Sequence, residues 1–119
     1  MEFQDTKSIY LQICDLIIDK ILRKEWRAGE RIPSVRETAV KLEVNPNTVM
    51  RSYLYLDEKQ ILYTKRGIGY YIHENGYQTA SEFKRESFIR NDLPHIFRTL
   101  ELLKIDFNEL KRLYQRFCT

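Results

Sequence analysis

The 119-residue chain contains little of the residues that build metal, redox and catalytic sites: two cysteines and two histidines. Cys14 and Cys118 stand near opposite ends without Cys-x-x-Cys spacing, and His73 and His95 lack ligand-like neighbours. We therefore expect no metal and no cofactor. We also expect both cysteines to be reduced, with a redox switch or intersubunit disulfide as the alternative. Since no nucleophile, base and orienting group can be assembled, the sequence predicts that the protein is not an enzyme.

Long apolar runs are absent as well. The run Leu16-Ile17-Ile18 is broken by Asp19, whereas a membrane-spanning helix needs about 20 apolar residues. The first residues lack a basic region followed by an apolar stretch, so no secretory signal is visible. We expect a cytoplasmic protein without a membrane partner. The length leaves room for one small domain and an appendage, and excludes a large catalytic scaffold.

Charge is nearly balanced but unevenly distributed. The chain has 20 Lys and Arg against 17 Asp and Glu, a formal net charge of +3. Residues 31–66 hold seven basic side chains against four acidic ones, which accounts for the whole excess. A local basic surface favours an anionic partner such as nucleic acid, although solvated helix faces would give the same count.

The first third of the chain predicts two helices. Apolar residues at Tyr10, Ile13, Ile17 and Ile21 have helical spacing, which predicts a first helix over 7–26 that ends near Trp26 before Ala28-Gly29. Ser34 and Glu37 form a capping box, in which each side chain accepts the other residue's backbone N–H. A second helix therefore begins at Ser34 and extends to about Glu43.

A third helix follows after a short turn. Asn45 is a good N-cap, and Pro46 suits the first helical position because its missing N–H is not needed there. Val49, Tyr53 and Leu56 share one face, which predicts that Asn47, Thr48, Arg51, Ser52 and Tyr55 face solvent or a partner. Two short helices joined in this way have the spacing of a helix-turn-helix.

The rest of the chain predicts a hairpin and a helical tail. Strand-like residues 61–64 and 70–72 flank a basic, glycine-containing turn. A boundary at Glu74-Asn75-Gly76 divides the chain into a head, 1–75, and a tail, 76–119. In the tail, one kinked helix or two helices, with Asn91 or Asp92 capping a restart, would precede a last helix capped by Asp106 and Glu109.

The tail carries more apolar surface than so short a helical hairpin can bury. An identical copy is the simplest partner, so we expect a homodimer. The residues assigned to dimerisation are Phe88, Leu93, Ile96, Phe97, Leu100, Leu103, Leu110, Leu113, Tyr114 and Phe117. The predicted fold class is mainly α with a small β-hairpin: a winged helix-turn-helix followed by a C-terminal helical hairpin.

Residues 8–73 resemble the winged helix-turn-helix of the GntR family of bacterial transcription regulators. The resemblance rests on Ile9-Tyr10-Leu11-Gln12-Ile13, on residues 28–37 (AGERIPSVRE), on Val44-Asn45-Pro46-Asn47-Thr48-Val49, and on Lys65-Arg66-Gly67-Ile68-Gly69-Tyr70. The third segment and the short tail resemble the YtrA subfamily, whose small C-terminal region serves for dimerisation. Lys59-Gln60 replaces the family's usual acid-glycine pair, so the left-handed cap expected after the third helix lacks its glycine.

The resemblance implies binding to double-stranded DNA. Arg36 would grip phosphate and reach a base, Asn47, Thr48 and Arg51 would lead the third helix into the major groove, and the wing would approach the minor groove. The full set assigned to DNA binding is Ser34, Arg36, Asn45, Asn47, Thr48, Arg51, Ser52, Tyr55, Lys65, Arg66, Gly67 and Gly69.

The function implied is a homodimeric, sequence-specific transcriptional regulator. It would act as a repressor on a palindromic operator and control a transporter operon. Gating by a small effector bound in the dimer cleft is a further hypothesis that is compatible with this one. The alternative is a winged-helix module that binds protein without specific DNA binding.

Overall fold

The first helix ends earlier than its apolar pattern predicts. In the computed structural model, which describes residues 7–119, α1 spans Ile9–Leu22 and buries Ile13, Ile17 and Ile21 on one face. Lys24 takes a left-handed conformation with φ 62°, and the N–H groups of Glu25 and Trp26 donate back to the carbonyl of Lys20. The prediction of a helix to Trp26 is therefore wrong, because the chain reverses at Lys24 without a glycine.

The next two helices begin where their caps predict. Helix α2 spans Val35–Leu42: the Ser34 hydroxyl accepts the N–H of Glu37 at 3.0 Å, and the Glu37 carboxylate accepts the N–H of Ser34 at 3.1 Å. Helix α3 spans Pro46–Glu58, and the Asn45 side-chain oxygen accepts the N–H of Asn47 at 2.7 Å. Both caps are confirmed. These caps fix the first residue of each helix, and therefore the direction in which the side chains of its first turn project.

The hairpin pairs β1 (Leu62–Lys65) with β2 (Gly69–Ile72) in antiparallel register, with Leu62 opposite Ile72. The connector before α2 adds to its other edge: Ile32 N–H donates to the Tyr70 carbonyl and Ile72 N–H to the Glu30 carbonyl, both at 3.0 Å. The wing is thus held by backbone bonds on both edges of β2. The predicted class, mainly helical with a two-stranded hairpin, is confirmed for the described residues.

The core lies in a first compact unit that extends to Lys84, beyond the boundary predicted at residues 75 and 76. Helix α4 spans Gly76–Ser87, and its Ala80 and Phe83 join the core. Gly76 is buried: a Cβ there would lie 2.8 Å from the Ile61 carbonyl oxygen. This glycine therefore permits close packing at the start of α4. The buried side chains of the core are Ile13, Cys14, Ile17, Ile18, Ile21, Ile32, Ala39, Val49, Tyr53, Leu56, Ile61, Leu62, Ile72 and Ala80.

The second unit, Arg85–Thr119, contains a π turn at Phe88–Asp92, α5 (Leu93–Leu102) and α6 (Phe107–Phe117). Asp92 keeps helical dihedrals and its side chain makes no capping hydrogen bond, so the helical run continues through the π turn into α5 without a capped restart. Pro94 has no N–H to continue the α ladder, and the turn before it widens. At α6 the Asp106 carboxylate accepts the N–H of Glu109 at 2.8 Å, which confirms the Asp106 half of the predicted box.

Candidate nucleic-acid interface

The exposed face of α3 is rotated from the one that the sequence pattern predicts. Asn47, Met50, Arg51 and Leu54 are exposed, at the i, i+3, i+4, i+7 spacing of one helix stripe. Two members of this face, Asn47 and Arg51, were assigned to DNA binding. Thr48 is half-buried beside them. The surface that α3 presents is therefore mixed, with two polar and two apolar side chains.

Ser52 does not belong to this surface. It is 0% exposed, and its hydroxyl donates to the Tyr10 carbonyl at 2.6 Å and contacts the Thr48 carbonyl at 3.3 Å. Its own carbonyl accepts the thiol of Cys14 at 3.6 Å. The assignment of Ser52 to DNA contact is wrong, because this small residue lets α1 approach α3 and its polar groups are satisfied inside the head.

Tyr55 also packs against other residues of the first unit. Its ring meets Tyr10 edge-on at 6.1 Å and Phe83 edge-on at 6.2 Å between centroids, and the Lys59 ammonium lies 5.5 Å from the ring. These contacts tie α3 to α1 and α4. The structure places Tyr55 half-buried in an aromatic cluster within the first unit, beside the exposed stripe of α3.

Three polar residues of the predicted site have structural partners. The Arg51 guanidinium stacks on the Tyr10 ring, 3.8 Å from its centroid, which holds its side chain along the α1 edge of the stripe. Ser34 and Asn45 use their side chains as caps. The bonds from the Ser34 N–H and hydroxyl also hold the pKa of the Glu37 carboxyl below its usual value.

Arg36 is exposed in the first turn of α2, close to a buried hydroxyl that fixes this helix start. Tyr53 donates its hydroxyl to the Pro33 carbonyl at 2.7 Å and lies 2.7 Å from the Thr38 hydroxyl. Burial raises the pKa of Tyr53, so the phenol stays protonated and available as a donor. Arg36 thus projects from a backbone segment that is anchored to α3.

The wing tip is exposed and basic. Lys65 and Arg66 are exposed, with the Lys65 ammonium 4.6 Å from the centroid of Tyr71. Gly69 adopts φ 135°, and a Cβ there would lie 3.0 Å from Nε of Arg31. Only glycine fits this position, so the Arg31 guanidinium can lie directly against the wing backbone. Gly67 also has positive φ, at 71°.

Four exposed residues near these elements were not in the predicted site: Arg31, Met50, Leu54 and Ile68. The helical spacing from Asn47 points to Met50 and Leu54, although the sequence pattern places neither of them on the core face of Val49, Tyr53 and Leu56 nor in the DNA-binding set. Arg31 belongs to the basic excess and to the family motif of residues 28–37, but its bridge to Tyr71 depends on tertiary pairing, which a sequence motif does not display. Ile68 lies at the wing tip with 52% of its surface exposed.

The tail residues assigned to dimerisation are not buried in the single chain. Leu93, Leu100 and Leu110 are half-buried, and the remaining seven are exposed: Phe88, Ile96, Phe97, Leu103, Leu113, Tyr114 and Phe117. The exposed fraction is largest for Phe117, at 88%. Apolar side chains on this scale, repeated along α5 and α6, form a surface typical of an interface.

Other chemistry has little support in the described part of the chain. Among residues 7–119, no three His, Cys, Asp or Glu side chains are grouped as metal ligands. None of the helices placed by the structure is long and apolar enough to cross a membrane. A cavity of about 590 Å³ lies in the first unit, with Leu16, Trp26, Leu42 and Tyr53 among its lining residues.

A model of the family described as bacterial regulatory proteins, gntR family, matches residues 9–72. The chain belongs to this family. YhcF, an HTH-type transcriptional regulator of Bacillus subtilis (strain 168), is 47% identical over 73 residues, which cover 61% of this chain and 60% of YhcF. The HTH-type transcriptional repressor YtrA of the same strain is 41% identical over 76 residues, 64% of this chain and 58% of YtrA. The matches thus span about three fifths of these relatives.

The solved structure of a GntR family transcriptional regulator from Listeria monocytogenes is similar over more of the chain. It is 33% identical, covers 96% of this chain and 98% of its own, and superposes with a TM-score of 0.78. The family resemblance read from the sequence motifs is confirmed, and YtrA is among the relatives.

Proposed function

We propose that this gntR-family protein is a sequence-specific DNA-binding transcriptional regulator. The observation that carries the proposal is the combination, in one compact unit, of an exposed stripe on α3 with two exposed basic groups, Arg36 at the start of α2 and Lys65-Arg66 at the wing tip. A helix of this kind fits the major groove, and flanking cations bind the phosphates on either side.

The residues divide into two roles. Asn47 and Arg51 lie on the stripe of α3 and are donors to base edges. Arg36, Lys65 and Arg66 supply charge for phosphates, and the wing backbone at Gly67 and Gly69 approaches the minor groove. Phosphate contacts set affinity without sequence information, while the contacts of α3 set sequence preference.

Homodimerisation through α5 and α6 completes the proposal. Their exposed apolar faces need cover, and an isologous contact between two copies covers both faces at once. A two-fold dimer with a recognition helix in each head matches a palindromic operator, whose half-sites lie roughly 34 Å apart.

Three finer features belong to the same proposal. Repression is favoured by the relative YtrA, which is named a transcriptional repressor. Control of a transporter operon is carried over from the subfamily resemblance, and gating by a small effector in the dimer cleft is compatible with the same regulator. The rival function, a winged-helix module that binds only protein, requires none of the cations at the wing.

Selection of bound duplexes from a random pool tests the proposal, since it reports DNA binding and half-site symmetry together. Binding of the selected duplex should fall steeply with added salt. Arg36→Ala should weaken binding to all duplexes, and Asn47→Ala should change the preferred sequence. Arg112→Ala, an exposed arginine on α6, is the charge-matched control and should leave affinity unchanged. No enrichment of any sequence at low salt would contradict DNA reading.

Light scattering tests the dimer separately. A particle of twice the 14.4 kDa chain mass is expected at micromolar concentration. Phe117→Glu, which places a charge on the exposed apolar face of α6, should yield monomers with the head still folded. A wild-type protein that stays at the monomer mass would contradict the proposed interface.

A further inference from the structure

Met50 is one of the two apolar side chains on the exposed stripe of α3, and it lies beside the hydrogen-bonding residues Asn47 and Arg51. It lies on the exposed stripe of α3, three residues after Asn47 and next to Arg51, and 39% of its surface is exposed. The core of the head is filled by other side chains of α3, Val49, Tyr53 and Leu56. Met50 therefore points outward on the face that the proposed function places in the major groove.

The Met50 side chain is also held in place from the wing. The hydroxyl of Tyr70 on β2 donates to its thioether sulfur at 3.9 Å. Tyr70 in turn packs edge-on against the buried ring of Tyr53, with 5.0 Å between centroids. A methionine normally samples many rotamers, but this support on one side restricts the exposed chain. An oriented apolar group can discriminate between ligands better than a free one.

The chemistry of the groove limits what an oriented thioether can recognise. Methionine has no donor and only a weak acceptor, so it cannot read the hydrogen-bonding edges of the bases. The major groove displays one apolar group, the 5-methyl of thymine. We propose that Met50 reads a thymine methyl group in each half-site of the operator. This inference rests on the proposed DNA-binding function.

The experiment removes one methyl group at a time. The duplex obtained by selection is made in variants, each with one thymidine position of the half-site changed to deoxyuridine, and the change is made in both half-sites. Deoxyuridine keeps the base pair and loses only the methyl group. For the wild-type protein, one position should lose affinity by about fourfold per methyl group, the value of one buried apolar carbon. At that position Met50→Gln should show no response, while Met50→Leu, which stays apolar, should keep most of it.

Leu54→Gln is the matched control, because Leu54 is an exposed apolar residue one turn further along the same stripe. It should leave the response at the Met50 position intact. Thermal denaturation of each variant confirms that the head is folded. If the wild-type protein and Met50→Gln respond equally to deoxyuridine at every position, the inference fails while DNA binding stands. If no duplex is bound specifically, both fail.

Discussion

Removing the hydroxyl of Tyr53 should destabilise the head measurably although the ring remains. The ring is 0% exposed, and its hydroxyl makes the contacts at 2.7 Å with the Pro33 carbonyl and the Thr38 hydroxyl. Tyr53→Phe deletes both bonds and fills no new space. At about 1 kcal/mol for each lost bond, unfolding free energy should fall by about 2 kcal/mol.

Urea unfolding followed by tryptophan fluorescence measures this change in the head alone. Trp26 is the single tryptophan of the chain and packs against the core of the first unit. The corresponding shift in melting temperature is about 8–16 °C for a domain of this size. Since Pro33 immediately precedes the cap of α2, Tyr53→Phe should also loosen the Arg36 segment and weaken DNA binding.

Tyr70→Phe is the control. Among residues 7–119 its hydroxyl donates to the Met50 sulfur, a weak acceptor at 3.9 Å, so the loss should be below about 0.5 kcal/mol. Thr38→Val, combined with Tyr53→Phe in a double-mutant cycle, isolates the bond between these two side chains. Equal destabilisation by Tyr53→Phe and Tyr70→Phe would refute the role given to the buried hydroxyl.

Three further perturbations test other parts of the head. Gln60→Gly should raise the free energy of unfolding by about 1 kcal/mol, because Gln60 has φ 63° and glycine adopts this left-handed conformation without steric cost. An unchanged urea midpoint would contradict this. Gly69→Ala should cost more stability than Gly67→Ala. At Gly69 φ is 135° and an added Cβ would lie 3.0 Å from Arg31 Nε, whereas nothing lies within 4 Å of a Cβ at Gly67. Equal losses would contradict this. Burial raises the pKa of Cys14 from 9.0 to about 11, so the folded thiol binds its proton more tightly than the unfolded one. Stability should fall as pH rises from about 9 to 11, and a Cys14→Ala variant should lose that part of the pH dependence.

The parts of the fold that depend on neighbours in sequence were predictable. The capping pairs at Ser34 and Asn45 act over two or three residues, so their partners are visible in the sequence, and both helices begin where expected. The hairpin turn is equally local, and its glycines mark it. These local signals were sufficient to place the winged helix-turn-helix and most of its basic residues.

The orientation of α3 was predicted less well, because tertiary contacts decide it. An apolar residue indicates burial and a polar one exposure, yet Ser52 is fully buried and Met50 is exposed. The serine is buried because carbonyls of Tyr10 and Thr48 satisfy its hydroxyl, and those partners are brought together only by folding. From the sequence pattern alone, a small polar residue between two packed helices cannot be distinguished from a small polar residue that faces solvent.

The chain has only four glycines in 119 residues, and the helix ends and the wing differ in whether they need one. Lys24, Glu43, Gln60 and Lys104 follow the helices in left-handed conformations with φ of 57–63°, where an ordinary side chain costs about 1 kcal/mol. At Gly69, φ 135° is a conformation that such side chains rarely adopt, and a Cβ would lie in tight contact with the Arg31 guanidinium, 3.0 Å from Nε. Lysine, glutamate and glutamine can therefore end helices, whereas the wing requires glycine for its backbone and for the arginine that lies against it.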